Sequence, residues 1–131
     1  MWYCAVISWG ISYTTKITNR PFQIEVSPIC YVIKSKSWVK HKDNELLKHE
    51  QGHFNVGCLC ALTFKKRVKE YPFLKESYKE DLIRILKETM REFCIFEKKY
   101  DDETEHMIDR AKQEEWEMKL KQKLQELREF L

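Results

Sequence analysis

Apolar positions follow two different rhythms along the chain, changing near residue 43. Before it, β-branched and aromatic residues gather in short runs at Ala5-Val6-Ile7, from Ile11 to Ile17, and from Phe22 to Val39. In the last run Ile29, Tyr31 and Ile33 alternate with Cys30, Val32 and Lys34, and Lys34 to Ser37 make its end polar. This pattern predicts two or three antiparallel strands, with the long run bent or broken at Pro28.

Beyond residue 43 the spacing becomes helical. Asp43 or Asn44 is placed to cap a helix whose apolar side holds Leu46, Leu47, Phe54, Leu59, Leu62 and Phe64, ending before Pro72. A second helix is predicted from about Lys75 to Lys99, with Leu82, Ile85, Leu86, Met90 and Phe93 three and four apart. A third is expected to start near Asp102, where Asp102 and Glu105 match a capping box, and to run to Leu131. Its stripe of Trp116, Leu120, Leu124, Leu127 and Leu131 either packs on the domain or joins a partner helix in self-association. The expectation is one α+β domain over 1–131, strand-rich over 1–40 and helical over 43–131.

Composition narrows the function. Lys and Arg number 24 against 21 Asp and Glu, a net charge of +3, too balanced for a nucleic-acid binder that relies on excess cations. Three Gly and three Pro in 131 residues leave few helix breakers. The longest uncharged stretch, Met1 to Thr15, is shorter than the roughly 20 apolar residues of a membrane span. It also lacks the basic start and small-residue cleavage site of an export signal. Five cysteines cannot all pair within one chain, and Cys58 and Cys60 point about 200° apart on a helix. Small buried apolar side chains are the expectation for Cys4, Cys30, Cys58, Cys60 and Cys94.

The chemistry concentrates in Leu46-Leu47-Lys48-His49-Glu50-Gln51-Gly52-His53-Phe54. Four residues advance a helix by about 400°, so His49 and His53 share one face, a turn apart. Two imidazoles so spaced suit a single Zn²⁺, and Glu50, rotated about 100° from His49, suits a general base acting on bound water. Gly52 inside the helix costs about 1 kcal/mol against Ala, which suggests that something approaches its backbone closely, either the strand layer or the segment giving a third ligand. Val56 and Leu59 stand where a metzincin carries Gly and His, so that class is excluded. His106 is the leading candidate for third ligand, with Glu76 or Glu80 as a carboxylate alternative; His41 is read as exposed.

The stretches Ser37-Trp38-Val39, Leu46 to Phe54 and Tyr100-Asp101-Asp102-Glu103-Thr104-Glu105-His106, with Gln113 and Trp116 following, resemble an uncharacterised bacterial family of secreted zinc-dependent proteases. The resemblance runs from about Ile11 to the third helix. It implies a zincin-like fold with one Zn²⁺ per chain, His49 and His53 as ligands, Glu50 as catalytic base, His106 as third ligand, a peptide or protein substrate, and a secreted or periplasmic location.

Weaker features remain. The Tyr100 hydroxyl is a candidate oxyanion donor, and the Ile29 to Val39 strand a candidate edge for an extended peptide. Two Glu-x-x-His pairs, Glu50/His53 and Glu103/His106, also match the ligands of di-metal carboxylate bundles, though those need four helices. A non-catalytic interaction module using the last helix is the third reading.

Overall fold

The computed structural model describes residues 5, 6, 8–39, 44–105 and 108–131. Among these described residues four strands precede three helices: β1 Ala5–Val6, β2 Trp9–Asn19, β3 Phe22–Val32, β4 Trp38–Val39, α1 Asn44–Glu70, α2 Tyr78–Thr104 and α3 Arg110–Glu126. The chain is α+β, as its two rhythms predict. Strands β2 and β3 form an antiparallel hairpin in unbroken register from Trp9 opposite Val32 to Asn19 opposite Phe22, and β1 pairs with β4.

The expected break at Pro28 does not occur. Pro28 sits in register opposite Tyr13. A two-stranded ribbon leaves alternate N–H groups pointing away from the partner, so a proline there removes no ladder bond. The chain turns instead at the polar end of the run, through a 3₁₀ turn at Lys34–Lys36. Ser37 fixes this corner, its hydroxyl donating to the Ile33 carbonyl at 2.7 Å and accepting from the Ser8 N–H at 3.0 Å.

Period-two alternation buries Ile24 and Val26 and exposes Gln23, Glu25 and Ser27. That inner face lies on α1, which also packs against α2 and α3 and is therefore the central element. One cluster joins Ile24 and Val26 to Phe64, Val68, Phe73, Leu82 and Ile85. A second joins Val56 and Leu59 of α1 to Tyr100 of α2 and to Trp116 and Leu120 of α3. The last-helix stripe thus packs inside the domain: Trp116 and Leu120 are buried, Leu124 and Leu127 flank them, and only Leu131 is exposed. Its central part is not available to a partner helix.

The α2–α3 boundary differs from expectation. Asp102 is not a cap: α2 continues to Thr104, with Asp102 inside it and paired with Lys98 at 2.8 Å. Glu105 closes α2 in the left-handed conformation, its N–H reaching the carbonyls of Asp101 and Asp102. The working cap of α3 is Asp109, whose carboxylate accepts from the Lys112 N–H at 3.0 Å. The apolar spacing of α2 fades after Phe96, so the polar last turns look like a linker in sequence. Not all cysteines are buried small side chains, either. Cys60 is buried, Cys30 and Cys58 are half-buried and Cys94 is exposed, while Cys4 lies outside the described residues.

Candidate metal centre

His49, Glu50 and His53 all lie on the buried side of α1, at 2, 7 and 8% exposure. Their ligand atoms are all within 4.8 Å of one another, a group that could hold a metal ion. Helix α2 runs alongside and supplies Asp101. Nε2 of His49 and Nε2 of His53 both converge on one oxygen, Asp101 Oδ1, at 3.0 and 2.8 Å.

A hydrogen-bond chain fixes His49. The Tyr100 hydroxyl donates to the His49 carbonyl at 2.7 Å, and the Gln113 amide donates to that hydroxyl at 2.9 Å. With its nitrogen so engaged, Gln113 turns Oε1 toward His49 and accepts from Nδ1–H at 2.8 Å. Nε2 of His49 is thereby the ring atom presented to Asp101. His53 is oriented from its other side as well: its Nδ1 lies 3.6 Å from Glu97 Oε2, and the Trp9 indole N–H donates to the same carboxylate oxygen. Both rings rest on Tyr100, His49 stacked at 4.8 Å and His53 edge-on at 5.1 Å.

The charges agree with this geometry. Burial favours the neutral form of His53, but Asp101 and Glu97 outweigh it and raise its pKa to about 10. Burial likewise pushes the Asp101 carboxyl up, and the two imidazoles more than reverse this, holding it well below the ordinary carboxylate range. Two ring nitrogens aimed at one carboxylate oxygen form an arrangement that a cation, proton or metal, stabilises.

Several predicted site residues are not brought here. Glu80 is at the opposite end of α2, about 30 Å along the helix from Asp101, and Glu76 precedes that end. Neither can supply the third ligand. Tyr100 cannot act as an oxyanion donor in this arrangement, because it is fully buried and its one proton is committed to the His49 carbonyl. Glu103 is two residues from Asp101 and so on the other side of α2, where its carboxylate accepts from the Trp116 indole at 3.3 Å and lies 3.6 Å from the Lys99 ammonium. It does not share the His49/His53 site, as a di-metal centre would require. His41 and His106 lie outside the described residues.

Gly52 is explained by this packing. A Cβ there would stand 2.6 Å from Tyr100 Cζ, so the close approach comes from α2 and not from the strand layer. Asp101, Glu97, Gln113 and Trp9 are the site residues to which no role is assigned from sequence. The legible signal for two of them is spacing: Glu97 and Asp101 are four apart on α2, matching His49 and His53 on α1. No family model, curated protein or solved structure matches this chain, so the case for its chemistry is made by the geometry.

Proposed function

We propose that the chain is a zinc-dependent metallopeptidase with a zincin-like arrangement, in which His49, His53 and Asp101 hold the ion and Glu50 is the general base. The observation that carries the reading is the convergence of both Nε2 atoms on one carboxylate oxygen. The donor set suits zinc, since two imidazoles and a carboxylate are a familiar ligand trio for a catalytic site with one position left open. Ligands about 2.0–2.2 Å from a tetrahedral zinc stand roughly 3.4 Å apart. The separations of 2.8 and 3.0 Å need to open by about half an ångström to fit. The outer partners fit too: Gln113 behind His49 and Glu97 behind His53 fix which ring nitrogen faces inward.

When bound, the ion would supply a water whose pKa is lowered toward 7 and a Lewis acid for a substrate carbonyl. Glu50, one residue along α1 from His49 and within 4.8 Å of its ligand nitrogens, would take a proton from the attacking water and return it to the leaving amine. Tyr100 and Gln113 keep His49 in the ligating tautomer throughout.

Elemental analysis combined with hydrolysis of an unstructured protein such as casein tests this. Glu50→Gln should retain one zinc per chain and lose at least about 10²-fold in hydrolysis. His53→Ala and Asp101→Asn should lose zinc. Full zinc retention in Asp101→Asn with loss in His106→Ala would move the third ligand to His106. Loss of zinc in Glu50→Gln, or no hydrolysis by the zinc-loaded wild type, would refute the peptidase reading.

A further inference from the structure

A second reactive group lies where β3 crosses α1. Gly57 lets the hairpin approach the helix there: a Cβ at 57 would stand 2.7 Å from Cys30 Sγ and 2.7 Å from Trp9 Cδ2. Cys58 follows Gly57 in the chain, and the thiols of Cys30 and Cys58 are hydrogen-bonding neighbours, both free and both half-buried. The two sulfurs therefore belong to different elements and meet at a point of close backbone approach, and neither residue is fully buried.

We propose that Cys30 and Cys58 are a redox-active pair that closes into a reversible disulfide linking β3 to α1. The two thiols are not equivalent. Interaction with Cys30 lowers the pKa of Cys58 against the opposing effect of burial, whereas interaction with Cys58, then burial, raises that of Cys30. Cys58 is thus the attacking thiol and Cys30 the resolving one.

The oxidant is a low-molecular-weight disulfide such as oxidised glutathione. The Cys58 thiolate attacks one of its sulfurs, forming a mixed disulfide and expelling one glutathione thiolate. This removes the thiolate that held the Cys30 proton in place. Cys30 then loses its proton to solvent and attacks Cys58 Sγ, forming the Cys30–Cys58 bond and expelling the second glutathione thiolate. Two protein thiols are oxidised, and one small disulfide is reduced to two thiols.

The test is peptide mapping of the full chain after incubation with oxidised glutathione and blocking of residual thiols. The expected product is a peptide pair joined through Cys30 and Cys58 and released by dithiothreitol. Cys30→Ser should accumulate glutathione on Cys58, because the resolving thiol is gone, and neither Cys30→Ser nor Cys58→Ser should yield the reducible peptide pair. Full alkylation of both cysteines in the oxidised wild type would overturn the proposal. So would a bond joining any other two cysteines of the chain in place of Cys30–Cys58.

Discussion

Substituting Gly52 by alanine sets two opposing effects against each other, and the structure decides the sign. Helix propensity alone predicts that Gly52→Ala stabilises α1 by about 0.8–1.0 kcal/mol. The new methyl, however, would lie 2.6 Å from Tyr100 Cζ and 3.1 Å from Cε2, in contact with a ring that is itself fully buried. Forcing extra volume into such packing costs about 1–3 kcal/mol. If the ring gives way, the Tyr100 hydroxyl also loses its bonds to the His49 carbonyl and the Gln113 amide, at about 0.5–1.5 kcal/mol each. The steric and polar costs together exceed the propensity gain, and a net destabilisation of about 1–5 kcal/mol follows. Urea unfolding followed by far-UV circular dichroism measures it, and zinc affinity should fall in parallel because His49 stacks on the displaced ring. In a Tyr100→Leu background, which removes the ring carbon and hydroxyl in the way, the same substitution should become neutral or stabilising. A Gly52→Ala protein at least as stable as wild type would show that Tyr100 does not press on α1 as described.

Tyr100→Phe should lower stability by about 1–3 kcal/mol through its two lost hydrogen bonds, yet change the proposed zinc-dependent hydrolysis less than tenfold; a drop of about 10²-fold or more in kcat with unchanged stability would restore the oxyanion role. In chelator-treated protein His53, with its pKa raised to about 10 from an ordinary 6.5, contributes stability that is complete below pH 6.5 and lost as pH rises through 10. Asp101, depressed below 3.8, contributes stability present above that value and lost as pH falls through its folded pKa. The urea midpoint of the metal-free protein should therefore fall between pH 6 and 10, and Asp101→Asn should flatten that slope; an unchanged slope in the variant would count against the pairing. Leu120→Ala, at a buried position of α3, should cost about 2–5 kcal/mol in urea unfolding, whereas Leu131→Ser, at an exposed one, should stay within about 0.5 kcal/mol; equal effects would place the packed part of the stripe elsewhere.

What could be read in advance depended on whether a residue acts through a local period or through a distant contact. The helix carrying His49 and His53, and the burial of Trp116 and Leu120, follow from spacings within one element. Pro28 misled because its effect depends on whether a further strand pairs beyond β3, which the local sequence does not express. Asp102 misled because one helix end and the next cap both use acidic residues, and α2 ends in a run, Asp101-Asp102-Glu103-Thr104-Glu105, where any could serve. Asp101 was hidden for the same reason. With 34% of the chain charged, a carboxylate four residues from another carries little information until a facing pair is known.

That facing pair suggests why so much of the centre hangs on α2. Helix α1 alone presents His49 and His53 a turn apart, but nothing in one helix fixes the rotation of either ring. Glu97 and Asp101, spaced by the same turn, contact His53 at both nitrogens, while Tyr100 between them presses on Gly52 and holds Gln113. Glycine at 52 is what allows the two helices to approach closely enough for these side chains to meet. The two histidines supply the metal-binding potential, but the register between α1 and α2 decides whether their nitrogens face a common point. A substitution that slides α2 by one residue would rotate Asp101 about 100° away and leave the imidazoles intact without a shared ligand. The chemistry of the centre is therefore a property of the helix–helix contact more than of the five-residue motif that marks it.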